Sequence, residues 1–384
     1  MVPEFNDPFI ILRKIFFNNC INYKITKFSN VLLIIIYSLV YCLQIYYMYK
    51  NFSINLLIKY GPITIFFLQI IVTAVFCVAM DKEMFEILTF FQKTCWPLNI
   101  IKKGVQIKLE RKCQVISICL SCILILNIMT VIFNYPNFGT QRDFFICFII
   151  FEEYFGEWSY IPCYFYFVGF LFLYFLFLKV CYIFVYGILE VQLQFLLIKE
   201  YLLEIYEFDH LKSWKYLQDV QYQQEMGKIL RQCITHHNDL KKLVKIIMNV
   251  ALKAMPFFLL FGVLLLISCF ALIINFADTM SNIIKIRHLM FAINTFILSF
   301  LLCWIGQQLV DVTSNVFFTL AGAPWYYWNL KNIKILLTFM TNCTKNESIN
   351  LAGICLDYNM FVSVLRISIS YALVLYNLHK SSVI

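Results

Sequence analysis

Acid–base or metal chemistry would have to draw on five histidines, His210, His236, His237, His288 and His379. Most sit in loops or at the edges of apolar blocks. The adjacent pair His236 and His237 would point in different directions on a helix, which suits solvated neighbours better than two ligands of one metal. The fifteen cysteines lie mostly inside apolar blocks, where Cys119 and Cys122 read as small packing residues rather than redox or zinc ligands. Cys147 and Cys163 flank a candidate outer loop, and both a disulfide and two free thiols fit the sequence there. No HExxH, GxSxG, P-loop or GxGxxG pattern occurs, so the chain is not expected to be an enzyme or to carry a metal or cofactor.

Charge inside apolar blocks says more, because inserting a charged side chain at mid-membrane costs ~2.5 to 3.5 kcal/mol unless it faces protein or water. Lys179, Lys253 and Arg366 are the basic residues of this kind. The two lysines fall in over-long blocks and fit a boundary position, with the ammonium snorkelling to water. Arg366 lies deeper, facing either a neighbouring helix or an aqueous path. Its block also carries Ser363, Ser368, Ser370, Tyr371 and Asn377, a polar density that a lipid-facing helix does not need. Ser363, Ser370 and Asn377 recur every seven residues and share a stripe with Val374. Such a stripe suits either an ion path closed by an apolar constriction or a buried helix interface.

The elements that hold these residues are membrane helices. Of the 384 residues 61% are apolar and 14% charged, and the mean hydropathy is +0.76; an average soluble domain is about 25% charged. Seven blocks are long enough to span ~30 Å of hydrocarbon at ~1.5 Å per residue: Ser29 to Tyr49, Tyr60 to Met80, Gln114 to Phe133, Ile161 to Gly187, Ile246 to Asn275, His288 to Gln308 and Leu351 to Tyr376. The expectation is an all-α fold, a single seven-helix membrane domain over 1–384. The first block follows Arg13, Lys14, Lys24 and Lys27 and is too long for a cleaved signal, so it should remain as a helix.

Basic residues set the orientation. Segments 1–28, 81–113, 188–245 and 309–349 carry 22 of the 31 Lys and Arg, the alternate segments only 6. The positive-inside rule then places the N-terminus in the cytoplasm and the C-terminus outside. That is opposite to G-protein-coupled receptors. The net charge of +9 is thereby accounted for in loops, and no nucleic-acid partner is expected. Asn51-Phe52-Ser53 is a sequon on the outer side, whereas Asn342-Cys343-Thr344 and Asn346-Glu347-Ser348 fall inside.

Segment 188–245 reads as helix throughout, with Gln192, Phe195, Leu196, Lys199 and Leu203 at helical spacing and no Gly or Pro from Ile188 to Met226. Lys331 to Met340 repeats apolar positions at Ile333, Ile335, Leu336, Leu337 and Met340. Both stretches could form a bundle beneath the membrane or lie on the lipid surface.

The C-terminal third resembles the insect odorant receptor family. The resemblance rests on Cys303-Trp304-Ile305-Gly306-Gln307, Ser314, the pair Trp325-Tyr326, the helix around Leu336, the turn Ala352-Gly353, Phe361 and the run Ser370-Tyr371-Ala372-Leu373-Val374-Leu375. The rest of the chain matches in layout only. Two departures concern the Trp-Tyr region: Ala321 stands where a tyrosine is common, and Pro324 precedes Trp325. Ser370-Tyr371 with Asn377-Leu378 also resembles a degenerate form of the gustatory receptor ending, the alternative reading. A secondary transporter is disfavoured because no repeat relates the halves.

The resemblance implies an odorant-binding subunit of a ligand-gated, non-selective cation channel in the plasma membrane of sensory neurons. Four subunits would surround one pore lined by the seventh helix (351–376), with the gate at Val374, beside Asn377, Leu378 and Tyr371. The cytoplasmic extensions 188–245 and 309–349 would form the subunit contact, with Trp325, Tyr326 and Leu336. The chain lacks the longer cytoplasmic insertion of the family's shared co-receptor, so it is expected to work with that co-receptor in a hetero-oligomer. A volatile organic ligand would enter among spans two, three, four and six. The candidates by position are Phe66, Phe67 and Gln69; Met129; Tyr164, Tyr166 and Phe170; and Phe291, Asn294 and Thr295. Asp143, Glu152, Glu153 and Glu157 could gather cations at a pore mouth.

Overall fold

The computed structural model describes residues 8–17, 23–133, 145–209, 217–276, 282–351 and 353–383. Among the described residues, eleven α-helices and one short hairpin follow in order: α1 (Ile10–Phe17), α2 (Tyr23–Lys50), α3 (Ile54–Ala79), α4 (Asp81–Thr94), α5 (Lys103–Phe133), α6 (Ile146–Phe155), α7 (Tyr160–Asp209), α8 (Val220–Phe276), α9 (Asn282–Ala321), α10 (Leu330–Cys343), β1 (Asn350–Leu351), β2 (Ile354–Cys355) and α11 (Tyr358–Val383). Among the described residues, seven helices are long and apolar enough to cross a membrane: α2, α3, α5, α7, α8, α9 and α11. The all-α, seven-span expectation therefore holds.

Three helices far exceed a bilayer. At ~1.5 Å per residue, the 50, 57 and 40 residues of α7, α8 and α9 extend for roughly 75, 85 and 60 Å. Their excess projects at the end of the bundle that carries the basic loops. There α10 packs on α8 and α9. Its inward stripe is Asn332, Leu336, Phe339 and Cys343, spaced four, three and four as a helix face requires. The sequence pattern had put Leu337 on that stripe, but Leu337 is 56% exposed. The polar centre of this contact is Gln223 on α8, whose Nε2 donates to Tyr327 O (2.9 Å) while its Oε1 accepts from Asn329 N (2.9 Å) and Asn332 Nδ2 (2.9 Å).

Segment 188–245 is not helical throughout. Helix α7 ends at Asp209 and α8 begins at Val220. The Asp219 carboxylate accepts from the N–H groups of Gln221 (3.0 Å) and Tyr222 (3.2 Å), capping the new helix. The lack of Gly and Pro gave no sign of the aspartate cap at which α8 starts.

The seventh span also starts later than expected. Asn350 and Leu351 pair with Cys355 and Ile354 in an antiparallel hairpin, turning at Gly353 with φ +90°, a conformation that costs glycine least. Asp357 then takes the Met360 N–H (2.8 Å), and α11 runs from Tyr358.

Two ion pairs tie the α3–α4 junction to the long helices. Lys253 Nζ lies 2.6 Å from Glu83 Oε1, and Lys179 Nζ lies 3.7 Å from Asp81 Oδ1. Both lysines of the apolar blocks thus meet acids at the start of α4, and they mark a polar level where apolar helices pass into the projecting bundle. Arg366 is exposed on α11.

Candidate ligand cavity

On the other side of that polar level, the helices part around a cavity. Helix α3 supplies Ile63, Phe66, Phe67 and Gln69, α5 supplies Asn127, Thr130 and Val131, and α7 supplies Phe170, Tyr174 and Phe177. Met255 and Phe258 come from α8, and Phe291, Asn294, Thr295 and Ser299 from α9. The far wall is Leu356 with Met360, Phe361 and Val364 of α11. The cavity therefore touches the last span directly.

Aromatic packing shapes the apolar wall. Phe66 meets Phe291 edge-on at 4.6 Å and lies 6.0 to 6.5 Å from Phe170, Tyr174 and Phe177, within the favourable range for tilted ring pairs. Phe177 in turn stacks on Phe258 at 5.7 Å. On the α11 side, Phe361 packs edge-on against Phe296 and Phe300 of α9 at 5.2 and 5.4 Å.

The few polar groups are largely committed to one another. Tyr174 donates its hydroxyl to Asn127 Oδ1 (2.8 Å), and Asn127 Nδ2 donates to Ile123 O (2.8 Å). Thr130 donates to Leu126 O (2.9 Å) and accepts from Asn294 Nδ2. Thr295 and Ser299 donate to carbonyls of their own helix at 3.0 and 2.8 Å.

Of the ten positions the resemblance nominated for ligand contact, seven line this cavity: Phe66, Phe67, Gln69, Phe170, Phe291, Asn294 and Thr295. Met129 and Tyr164 are 39% and 44% exposed and do not line it. Tyr166 is buried elsewhere, stacked on Tyr37 at 4.9 Å, with its hydroxyl accepting from Gln44 Nε2 (3.4 Å). The sequence reading missed Asn127, Thr130 and Tyr174. Their signal was present, since polar side chains inside apolar spans face protein or cavity rather than lipid. Met255, Phe258 and Phe177 gave none, being apolar residues in uniformly apolar stretches.

On α11, Phe361, Ser368 and Ala372 are buried against the rest of the chain, whereas Ser363, Ser370, Tyr371, Val374 and Asn377 are exposed. The seven-residue stripe therefore faces away from the chain's own core. Nothing is described for the side chain of Leu378. At the basic end, Trp325 and Tyr326 are 53% and 43% exposed while Leu336 is 3% exposed, so Leu336 packs within the chain and Leu330 and Leu337 share the outer surface with the aromatic pair.

His236 and His237 do diverge, but both are 4% exposed, so they are buried rather than the solvated neighbours expected. His236 stacks on Trp96 at 4.1 Å and meets Gln194 Oε1 at 3.1 Å, whereas His237 lies between Phe195 and Phe339 beside Cys343 Sγ (3.4 Å). Burial pushes each imidazole down to about 4. Cys147 and Cys163 are buried free thiols. Asp143 lies outside the described residues, and Glu152, Glu153 and Glu157 are exposed.

Fold and cavity together define a seven-span membrane protein whose last helix is part of the wall of a mostly apolar chamber rich in aromatic rings. No protein-family model and no curated protein matches this chain. Among solved structures it is similar to the insect olfactory receptor OR5 from Machilis hrabei, with a TM-score of 0.70, 12% sequence identity and 96% of each chain covered. The same receptor in complex with eugenol matches with a TM-score of 0.68 and 12% identity over 97% of each chain. The chain therefore has the insect olfactory receptor fold.

Proposed function

We propose that this chain is an odorant receptor, the ligand-binding subunit of a non-selective cation channel opened by volatile organic molecules. The observation that carries the reading is the shared wall: Met360, Phe361 and Val364 of α11 line the cavity, while Tyr371, Val374 and Asn377 further along the helix are exposed on it. A ligand that favours one arrangement of the wall shifts the helix population toward it, by no more than its differential affinity for the two arrangements. The cavity suits an odorant, being concave, apolar and furnished with few polar groups. The neighbour of the same fold that holds eugenol supports a small volatile as the occupant.

In this reading α11 lines the pore, and Val374, with Asn377, Leu378 and Tyr371 beside it, forms an apolar gate that closes by dewetting. The basic end lies in the cytoplasm, retained there by its Lys and Arg. The N-terminus is inside and the C-terminus outside. Trp325 and Tyr326 offer exposed aromatic surface for a neighbouring subunit, and Leu336 holds α10 in place beneath them. The partner subunits are the co-receptor, in the plasma membrane of sensory neurons.

Odorant-evoked current in cells expressing the chain with and without the co-receptor tests this. Current that needs both, and that falls at least about tenfold in sensitivity when Phe66 or Phe361 is replaced by alanine, is expected. Full current from this chain alone refutes the dependence on the co-receptor. Unaltered sensitivity in both variants refutes the cavity.

A further inference from the structure

The residues lining the cavity include one buried polar atom without a partner, Asn294 Oδ1. Asn294 is 5% exposed, and an amide oxygen shut away from water with no donor is a costly arrangement that persists where something supplies the donor. Its orientation is determined by its neighbour. The single hydroxyl proton of Thr130 is committed to Leu126 O at 2.9 Å, leaving only lone pairs towards Asn294. The amide must therefore present Nδ2 to Thr130, as observed. Turning it over would set two acceptors against each other. Three neighbouring hydroxyls do not supply the donor, because Tyr174 gives its proton to Asn127 Oδ1 (2.8 Å) and Thr295 and Ser299 give theirs to backbone carbonyls.

We infer that the cavity is tuned to odorants carrying a hydroxyl group, alcohols and phenols, whose O–H donates to Asn294 Oδ1 while the carbon skeleton rests on the aromatic wall. The inference rests on the odorant-receptor reading above and adds the chemical class of the ligand. Ethers, ketones and esters bring only acceptors and leave the amide oxygen unpaired. A site built around a buried hydrogen-bonding group rejects analogues that lack the matching group more strongly than an apolar pocket rejects an extra one. Thr130 is the positioning residue, since it decides which end of the amide meets the ligand.

Matched probes test this: benzyl alcohol against benzyl methyl ether, para-cresol against para-methylanisole, and octanol against octane. Each is applied to cells expressing the chain with the co-receptor, and each is added to the purified chain in a thermal-shift measurement. The expected result is that the hydroxyl member of each pair acts at about a tenfold lower concentration or better. Asn294→Leu should bring the pairs within about threefold by removing the unpaired oxygen while leaving the apolar wall in place. Thr130→Val should release the amide to present Nδ2 instead, so that ethers and acetophenone gain relative to the alcohols, a change that mere loosening of the fold would not produce. Surface labelling checks that both variants reach the membrane. Equal potency within the pairs on the wild-type chain, or a hydroxyl preference that survives Asn294→Leu, overturns the inference and leaves the odorant-receptor reading intact. Silence of every probe in both assays overturns that reading and this inference with it.

Discussion

Replacing Gly306 with alanine puts a methyl group where α9 meets the start of α11. A Cβ built on Gly306 lies 2.0 Å from Leu356 O, 3.1 Å from Leu356 C and 3.3 Å from Leu356 Cβ. Non-bonded carbon and oxygen need about 3 Å or more, so the two backbones must part by about 1 Å. Leu356 has little room to yield. It is 1% exposed, and its N–H is bound to Ile349 O at 2.9 Å. The helix on the other side is held too, because Gln192 Nε2 on α7 donates to Ile305 O at 2.7 Å. Overpacking of this kind costs about 1 to 3 kcal/mol. If the cost falls unequally on the closed and open arrangements of α11, the same energy changes the half-maximal odorant concentration by about 5- to 150-fold. Gly262 provides the control, since its added Cβ would meet nothing within 4 Å although it lines the cavity. The assay pairs thermal unfolding of the purified chain with concentration–response curves in cells. Gly306→Ala should lower the melting temperature and shift the curve, while Gly262→Ala leaves both nearly in place. Wild-type behaviour of Gly306→Ala in both measurements would refute the close approach, and with it the coupling of α9 to α11 at this point.

Other consequences can be checked independently. Gln194 accepts from Trp96 N (2.8 Å), donates to Trp96 O (3.2 Å) and meets His236 Nε2 (3.1 Å); Gln194→Leu should therefore cost about 1 to 3 kcal/mol per group left unpaired, seen as a lower melting temperature with the cavity's ligand preferences unchanged. Acidification should destabilise the basic end, because burial holds His236 and His237 at about 4 against ~6.5 when unfolded. The unfolded chain then binds more protons between those values, and stability present above pH 6.5 is lost as pH falls towards 4, by at most roughly 3 kcal/mol per ring. Melting curves from pH 7.5 to 4.5 should show the decline, and His236→Gln with His237→Gln should flatten it. Epitope tags report orientation: on unpermeabilised cells a C-terminal tag should be labelled and an N-terminal tag should not, and the reverse pattern would invert every assignment of inside and outside.

How much of this was legible in the sequence follows from which solvent each residue meets. Seven apolar blocks of bilayer length could hardly be anything but spans, because an unpaired backbone in hydrocarbon is forbidden and a helix pairs every group internally. The ends of the blocks were less legible. Asp219 and Asp357 set helix starts through short polar side chains that look like ordinary loop residues, and the Asn350–Cys355 hairpin is too short to show strand periodicity. At the basic end the helices emerge into water and amphipathic spacing returns, yet the pattern on α10 is shared between two apolar faces. Leu336 and Leu337 are equally apolar, and only one of them is buried.

Within the spans the difficulty is sharper. Lipid and protein interior are both apolar, so hydrophobicity cannot tell a residue facing the cavity from one facing the bilayer. Met129 and Tyr164 were nominated by their position in the spans that the resemblance implicates, and they are exposed on the chain's surface instead of lining the cavity. Polar residues escape the ambiguity, since hydrocarbon penalises them wherever no partner is found. Asn127, Thr130, Tyr174 and Asn294 accordingly converge on one chamber from three different helices. The same argument reads α11, where Ser368 is buried within the chain but Ser363, Ser370 and Asn377 are turned outward. In the function proposed above, water or another subunit lies opposite that stripe. A helix with the cavity on one face and this stripe on another is placed to carry a ligand's presence across its own width.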